Sequence, residues 1–492
     1  MKLHVYILIL CVALVTGGYA QQADVPQPIP QYAQDNRGHN WYVHQLALWE
    51  AECAKTPTKE GAWYNRFKAQ RYSFFEDTTV TQKQHAETFT KLLADMKKAI
   101  PDSWEYHLSV WRNGGNNTEL SEHLDRAYQL NPTFVEIIEE LVTFYEVNMN
   151  RTKRDEFIKQ WYAAKSFSPS LLGYAYNALT TLEPNAILVT CGDNDTYPFW
   201  MLQVAKNIRP DVVIMNTSLM CHPEYRPKFL KLYSIQADTS LLGDEHMAKT
   251  SYEQSVQEFI RSVAQSNKRP FYVSITVDPM FSELIKDDLY LTGLANKYSP
   301  KRFDNIAVLK RNWEAMHLDY LTQTFYEENY GFNTKWLPLL NMNYIPLTAL
   351  LYEHYKLSGD ETKAEHIKNF ALTLATAAHQ EQNTQEYFES IANSSTTTTN
   401  TTTTVSTNTQ QPDATSPLTL APNPASTTLT LTLRGIQQAE IHITNVQGKA
   451  VYSTRMDSTE QAVDISQWAN GVYTVRTTTI NGTYNTMFTI NR

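Results

Sequence analysis

The chain has 492 residues, a formal net charge of −9 and 12% aromatic residues, among them 29 tyrosines and 10 tryptophans. This length is enough for two or three domains, and the acidic balance argues against a nucleic-acid partner bound through a basic surface. Tyrosine and tryptophan serve core packing, contacts between helical repeats or stacking on glycans, and composition alone does not choose among these uses.

The first twenty residues have the pattern of a secretory signal peptide. Lys2 supplies a positive charge, residues 5–15 form an apolar core, and Gly18 and Ala20 are small residues placed before a cleavage site. No later segment has the roughly 20 apolar residues needed to span a bilayer. We therefore expect an exported chain with a signal peptide at 1–20 and no transmembrane segment after its removal.

Helical periodicity, with apolar residues every three or four positions, extends from Trp41 to about Leu182. Two amphipathic segments, residues 134–149 and 153–166, lie between prolines that are 37 residues apart, at 132 and 169. The pattern predicts a helical region over residues 21–182.

A second helical region is predicted over residues 301–392. It contains a hairpin made of residues 344–357 and 361–377, which a Ser-Gly-Asp turn joins. With their closing prolines and small residues, the hairpins of both regions resemble degenerate tetratricopeptide repeats, and the resemblance implies a concave groove for a peptide or protein. The alternative is an irregular helical domain with chance spacing.

Between the helical regions, over residues 183–300, the hydrophobic pattern changes to short strands that alternate with helices. Strands are predicted at residues 185–191, 212–219 and 270–277, and helices at 199–208 and 252–266. A strand, a helix and a second strand in this order predict a parallel pair with a right-handed crossover. We expect a small parallel α/β layer inserted into the helical body.

A polar loop, Gly192-Asp-Asn-Asp-Thr-Tyr-Pro198, follows the first predicted strand. Open α/β sheets bind ligands at the carboxyl ends of their strands. The candidate ligand-binding residues are therefore Asp193, Asn194, Asp195 and Thr196 of the loop, with Asn216, Ser218 and His222 after the adjacent strand.

Two interpretations of this loop remain open. In one, Asp193 and Asp195 hold Mg²⁺ or Mn²⁺ through hard oxygen ligands and present it to a diphosphate. In the favoured one, Asp195 or Thr196 caps the helix that begins near Pro198, and Asp193 braces the turn after Gly192.

Three cysteines remain after signal cleavage, Cys53, Cys191 and Cys221. An odd number leaves at least one thiol unpaired in an oxidising compartment. Cys191 and Cys221 follow neighbouring predicted strands, so a disulfide between them is one alternative, and plain buried thiols are the favoured one.

Residues 185–203 and 208–219 also carry a family resemblance. The block G-D-N-D-T-Y-P before a short helix, and R-P-D-V followed by N-T-S-L, resemble the soluble region of protein O-mannosyltransferase-like membrane proteins of Bacteroidota. The membrane-embedded part of that family is absent here. The resemblance therefore implies a periplasmic or surface domain, and it does not imply glycosyl transfer.

Residues 393–416 are predicted to be a linker, because two runs of four threonines and almost no apolar side chains cannot form a core. After it, over residues 417–492, apolar residues alternate with threonine and serine, and glycines separate the runs. That pattern predicts a β-sandwich of about seven strands. An accessory carbohydrate-binding sandwich is the alternative identity for such a domain.

The same tail resembles the C-terminal sorting domain of the type IX secretion system of Bacteroidota. Its landmarks are P-N-P-A at the start, an N-x-x-G turn, a D-I-S-x-W segment and a G-V-Y strand. The residues that carry them are Pro422, Asn423, Pro424, Gly448, Asp464, Trp468, Gly471 and Tyr473. The resemblance implies the type IX machinery as a partner and delivery through the periplasm to the cell surface or extracellular space.

The molecular function stays open between two classes. The sequence has no G-x-S-x-G, H-E-x-x-H, C-x-x-C or P-loop motif, which favours a non-catalytic, surface-delivered binding or scaffold protein with a protein or glycan partner. The alternative is a divalent-cation-dependent, glycan-related enzyme, or a remnant of one, that uses Asp193 and Asp195.

Overall fold

The computed structural model describes residues 25–399, apart from 34, 76, 78, 116 and 323–335, and residues 418–490, apart from 422–426, 434–437, 446–449, 467, 469–470 and 480–481. The chain divides after Thr401 into a body and a C-terminal unit. The predicted signal peptide and most of the predicted linker lie outside the described residues. No helix of the described ranges is both long enough and apolar enough to cross a membrane.

The body is mostly helical. Its helices are α1 (His39–Lys55), α2 (Glu60–Phe75), α3 (Gln82–Ala99), α4 (Trp104–Asn113), α5 (Ser121–Leu130), α6 (Val135–Val147), α7 (Arg151–Ala163), α8 (Pro169–Thr180), α9 (Tyr197–Lys206), α10 (Thr217–Met220), α11 (Tyr225–Tyr233), α12 (Asp244–Met247), α13 (Tyr252–Ser266), α14 (Asn305–Ala315), α15 (Trp336–Asn341), α16 (Ile345–Ser358), α17 (Glu361–Ala377) and α18 (Glu381–Thr399). Short 3-10 helices lie at Thr118–Leu120, Thr239–Leu242, Pro279–Asp288, Asp319–Thr322 and Met342–Tyr344.

Local sequence signals explain where many of these helices begin and end. Thr81 and Gln84 form a capping box at the start of α3. Ser168 caps α8 with Pro169 in the first turn, and Gly359, at φ +76°, ends α16 in the left-handed conformation that favours glycine. The two predicted hairpins are present as the neighbouring pairs α6 with α7 and α16 with α17.

Helix α18 continues to Thr399, so its last seven residues belong to the segment predicted as linker. Threonine is only moderately unfavourable in a helix, at less than about 0.7 kcal/mol per residue relative to alanine. A helix that is already nucleated can therefore extend into a threonine run that builds no core. Residues 400–416, the remainder of the predicted linker, are outside the described range.

A five-stranded sheet lies in the middle of the body. Its strands are β1 (Ile187–Thr190), β2 (Val213–Asn216), β3 (Phe271–Ser274), β4 (Leu289–Leu291) and β5 (Ala295–Tyr298), in the order β2-β1-β3-β5-β4. Strand β1 pairs in parallel with β2, from Ile187 opposite Val213 to Thr190 opposite Asn216, and also in parallel with β3. The predicted parallel arrangement is thus present in three strands.

The sheet as a whole is mixed, which corrects the prediction of a purely parallel layer. Strand β5 runs antiparallel to both β3 and β4. Only residues 292–294 connect β4 with β5, and a connection of three residues permits a hairpin but no parallel crossover. Close packing also fixes this turn, since a Cβ atom on Gly293 would lie 2.8 Å from the Thr181 hydroxyl.

Both faces of the sheet are buried. Leu188, Ile214 and Tyr272 point into the main helical core, while their neighbours along the strands belong to a second core against α11 and α13. This alternation follows from the two-residue period of a strand. It also explains why the strands have continuously apolar sequences, as sheets covered on both sides do.

The C-terminal unit contains antiparallel strands only, within its described residues. They are β6 (Leu418–Ala421), β7 (Thr428–Leu433), β8 (Ala439–Asn445), β9 (Ala450–Met456), β10 (Glu460–Asp464), β11 (Gly471–Thr479) and β12 (Gly482–Ile490), in two sheets of order β10-β7-β6 and β12-β11-β8-β9. Leu429 and Leu431 of one sheet share a core with Ile441 and Val475 of the other. This is the packing expected of a seven-stranded sandwich.

The predicted sorting residues fall partly in this described region. Pro422, Asn423, Pro424 and Gly448 lie outside it, and Gly471 begins β11. Asp464 ends β10 and accepts a hydrogen bond from the Ser466 backbone N–H at 2.9 Å. The ring centres of Trp468 and Tyr473 lie 5.2 Å apart, with the two rings tilted at 41° to each other.

Candidate functional site

A pocket of about 300 Å³ lies at the carboxyl ends of β1 and β2, where the loop predicted as a ligand site faces helices of the body. The predicted residues that line it are Asp193, Thr196, Asn216 and Ser218, together with Gly192. Helices that are distant in sequence contribute Arg71 of α2, Arg112 of α4, and Glu139, Glu140 and Thr143 of α6, and the start of α9, directly after the loop, contributes Tyr197 and Trp200. A cavity with convergent polar groups at this edge of an α/β sheet is a typical binding site.

Asp195 is not among the lining residues, because its carboxylate is bound by the protein itself. It accepts hydrogen bonds from the Cys191 backbone N–H at 2.9 Å, from the Ser274 hydroxyl at 3.2 Å and from the Thr276 hydroxyl. Burial raises the pKa of Asp195 to about 7, against the effect of these hydrogen bonds. Asp195 therefore ties the loop to the ends of β1 and β3.

Asp193 does line the pocket. Its backbone carbonyl accepts from the N–H groups of Thr196, at 3.0 Å, and Tyr197, at 2.9 Å, and so closes the turn into α9. Its side chain is exposed to the cavity, yet protein atoms crowd around it. This crowding, followed by the charge of Glu140, raises the pKa of Asp193, while the Tyr197 hydroxyl and Arg112 oppose the shift.

The predicted side-chain cap of α9 is wrong, because the side chains of both candidates, Asp195 and Thr196, are bonded elsewhere. Thr196 stands at the N-cap of α9, but its side chain makes no capping hydrogen bond there. The hydroxyl instead contacts that of Thr190 at 2.9 Å and accepts from the Asn216 amide at 2.9 Å. Gly192 adopts φ +82°, a conformation that glycine allows without strain, so the chain turns sharply into the loop.

The remaining predicted residues have separate roles. Asn216 caps α10, since its side-chain oxygen accepts from the Leu219 N–H at 3.0 Å. The Asn194 amide donates to the Ala33 carbonyl at 2.9 Å and so holds the N-terminal segment against the loop. Ser218 is exposed at the mouth of the pocket. His222 is not among the lining residues, and its Nδ1 is buried without a hydrogen-bond partner.

A buried charge network forms the far wall. The Arg112 guanidinium donates to Glu140 at 2.8 Å, to Glu136 at 2.6 Å and to the Tyr64 hydroxyl at 2.8 Å. Lys68 adds a second cation, 3.1 Å from Glu136. Tyr64, followed by the carboxylates of Glu136 and Glu140, holds the pKa of Arg112 well above its ordinary value, against the lowering effect of burial. Two cations and two carboxylates therefore compensate each other beneath the pocket.

Glu139 stands beside this network with its own contacts. It accepts a hydrogen bond from the Gln31 amide at 2.8 Å. Burial and then the charge of Asp193 raise the pKa of Glu139 to about 8, with a further contribution from Glu140, and Arg112 and Gln31 oppose the shift. Carboxyl groups with raised pKa values in a cavity are typical of functional sites, although structural networks produce them too.

Asp193 and Asp195, the two predicted ligands of a divalent cation, do not face a common site. Asp193 faces the cavity, whereas the oxygens of Asp195 accept hydrogen bonds from the ends of β1 and β3 and from Thr276. Across the described residues, no group of three or more His, Cys, Asp or Glu side chains is placed to hold a metal ion. Cys53, Cys191 and Cys221 are free thiols in the structure, with Cys53 buried and the other two half-buried.

Sequence reasoning missed the residues of the far wall, including Arg71, Arg112 and Glu139. A usable signal was present in α6, an apolar helix in which Glu136, Glu139 and Glu140 recur at helical spacing. Acidic residues on one side of a helix that is otherwise apolar indicate buried and paired carboxylates. Arg71 and Arg112 carry no comparable signal.

Two protein-family models match parts of the chain. Residues 172–266 match TMEM260-associated domain 2, a stretch that includes β1, the loop, α9 and β2. Residues 419–491 match the secretion system C-terminal sorting domain. A search among curated proteins found no match. The C-terminal sorting domain supports type IX secretion cargo, which implies interaction with the type IX machinery and export to the cell surface or extracellular space.

Proposed function

We propose that this exported protein is a non-catalytic binding protein that holds a small polar ligand in the pocket at the Gly192–Thr196 loop. The observation that carries the proposal is the pocket itself, in which groups from five separate segments of the body converge on about 300 Å³. Such a volume lies at the low end for small-molecule sites. The pocket therefore fits a small molecule or the terminal residue of a longer polymer.

The composition of the wall favours binding over catalysis. Among the described residues that line the pocket there is no histidine and no cysteine, the residue types that most often serve as general base and thiol nucleophile. A nucleophile needs an adjacent general base or a strongly lowered pKa. The hydroxyl and amide of Thr196 and Asn216 are already bonded to each other, which makes this side of the pocket a rigid surface.

The second candidate function is a glycan-related enzyme, or a remnant of one, that depends on Mg²⁺ or Mn²⁺. The observation in its favour is that Asp193 lines the same pocket as Glu139 and Glu140, and carboxyl oxygens are the donor type that these cations prefer. The hydrogen bonds that the Asp195 carboxylate already accepts argue against a cation held by Asp193 and Asp195 together. Calorimetric titration of the purified protein with each cation separates the candidates, because saturable binding that Asp193→Asn abolishes supports the enzyme.

The proposed pocket is tested by blocking it. A panel of free amino acids, short peptides and monosaccharides is screened by thermal shift and calorimetry against the full chain and against Ser218→Trp. Ser218 is exposed, so the indole fills the mouth at a stability cost of about 0.5 kcal/mol or less. The matched control is Ser266→Trp, at an exposed serine beyond the pocket. We expect a ligand whose binding Ser218→Trp abolishes and Ser266→Trp preserves, and a panel with no such compound contradicts the proposal.

A further inference from the structure

The charges around the pocket divide into a compensated set and an uncompensated set. Arg112 and Lys68 are paired with Glu136 and Glu140 in the network of the far wall. The charged lining residues outside this network, among the described residues, are one cation, Arg71, and two carboxyl groups, Glu139 and Asp193.

Arg71 has no ion-pair partner within 4.0 Å among the described residues. One Nη1 hydrogen bond goes to the Arg112 carbonyl at 3.0 Å, and the guanidinium lies 5.3 Å from the centre of the Phe75 ring. A guanidinium carries five N–H donors. Burial, and then the charge of Arg112, lower the pKa of Arg71, while Tyr72 and Glu140 oppose the shift. Its free donors suit a carboxylate, which arginine binds in a bidentate manner.

Glu139 and Asp193 are the opposite case. No lysine or arginine forms an ion pair with either of them in the described part of the chain. Glu139 is bonded to the neutral amide of Gln31, and the charge of Asp193 is among the causes that raise its pKa. Two carboxyl groups that repel each other in one cavity are stabilised by a cation placed between them.

Resting on the proposed binding function, we propose that the ligand is a zwitterion, whose carboxylate pairs with Arg71 and whose ammonium group lies against Glu139 and Asp193. A free amino acid and the end of a short peptide both have this chemistry. A neutral sugar leaves Arg71 unpaired, and a simple anion or cation satisfies only one side of the pocket. Burial of a charge is costly unless it is paired, so the charge pattern of the cavity selects a ligand with both charges.

The proposal carries a pH dependence with a defined sign. The charged groups that face Glu139 are Asp193 and Glu140, which favour its protonation, and Arg112, which opposes it, while Gln31 is neutral. An ammonium group binds the deprotonated carboxylate, so binding below pH 8 releases a proton. Affinity therefore rises with pH from about 6 to 8, by at most about tenfold per unit for one proton.

The test uses calorimetry on the full chain with the twenty common amino acids and a set of dipeptides, followed by charge-blocked derivatives of the best binder. Acetylation removes the ammonium charge and amidation removes the carboxylate charge. We expect each block to weaken binding tenfold or more. Comparison of a free amino acid with dipeptides and longer peptides that share its terminus distinguishes the two sources of the ligand.

Variants assign each end of the ligand. In Arg71→Gln the intact ligand and its amide are expected to bind equally, and Arg71→Lys, which keeps the charge, restores part of the difference. In Asp193→Asn and Glu139→Gln the intact ligand and its acetyl derivative are expected to bind equally. Arg126→Gln and Asp125→Asn remove the same charges at exposed positions of α5 and serve as controls.

The outcomes separate this inference from the proposed function. A saccharide that binds in a manner sensitive to Ser218→Trp, with no zwitterion doing so, overturns the inference and leaves the binding function in place. Zwitterions that bind equally well after either charge is blocked also overturn it. If no compound binds in a manner sensitive to Ser218→Trp, both proposals fail.

Discussion

The C-terminal unit and the body differ in how far apart in the sequence their functional residues lie. In the C-terminal unit, the landmarks Asp464, Trp468 and Tyr473 lie within one short stretch, and the core consists of alternating residues of consecutive strands. In the body, the pocket is assembled from α2, α4, α6 and the ends of two strands. A linear pattern can therefore identify the sorting domain, whereas a site built by packing of distant segments gives no linear pattern.

The largest effect is expected when the C-terminal unit is removed from the body. Removal of residues 417–492 deletes every described member of the C-terminal core and leaves both cores of the body intact. We expect near-complete loss of surface delivery, with ligand binding by the purified body unchanged. Cell fractionation and protease accessibility on intact cells measure the first result, and calorimetry measures the second. Surface delivery that persists contradicts the role of the sorting domain.

The next largest expected effect separates Asp193 from Asp195, two aspartates of one loop that the sequence pattern alone does not distinguish. Asp195→Ala removes the acceptor of the Cys191 N–H and of the Ser274 and Thr276 hydroxyls, which keep the hydrogen bond to each other. We expect the free energy of unfolding to fall by about 2–4 kcal/mol. Asp193→Asn keeps the backbone carbonyl that closes the turn, so a change below about 1 kcal/mol is expected.

Denaturant unfolding of both variants, followed by circular dichroism, measures this difference. Calorimetry with the ligand identified for the wild type completes the test, because Asp193→Asn is expected to lose affinity while it remains folded. Equal destabilisation by the two substitutions contradicts the separate roles that the contacts assign to them.

Local signals made much of the fold predictable. The predicted helices at 252–266 and 361–377 have the bounds observed for α13 and α17, since caps and periodicity act within one turn of helix. The loop after β1 was also placed correctly, because strand order fixes the edge at which parallel strands end. The antiparallel strand β5 was missed, as its position depends on a hairpin that folds back beside β3.

The site was predictable only on its loop side. Ser274 and Thr276 bind Asp195 from about 80 residues away, and nothing near them in sequence marks this contact. Likewise, Arg71 and Glu139 acquire their chemistry from burial beside other charges. Such properties belong to the tertiary packing, and single residue types in a sequence do not reveal them.

The smallest expected effect concerns Glu139→Gln. It tests whether the buried Glu139 carboxyl group lowers the free energy of unfolding when it is charged. The pKa of Glu139 is raised from 4.5 to about 8 in the folded protein. Between these values the folded chain keeps a proton that the unfolded chain releases, so the free energy of unfolding falls as pH rises toward 8. Asp195, with a pKa of about 7, adds a slope of the same sign below pH 7.

From pH 7 to 8 Glu139 contributes the largest slope, because Asp195 and Glu105, whose pKa values are each about 7, are already half deprotonated at the start of this interval. Over it, the wild type is expected to lose up to about 1 kcal/mol of stability through Glu139. Glu139→Gln, which retains an oxygen to accept the Gln31 hydrogen bond, is expected to keep only the smaller slope that Asp195 and Glu105 produce. Glu156→Gln, at an exposed position of α7, is the control and should follow the wild type. Urea unfolding at closely spaced pH values provides the measurement. If the slope of Glu139→Gln equals that of the wild type, Glu139 titrates normally and the pocket does not hold the uncompensated carboxyl that an ammonium ligand would stabilise.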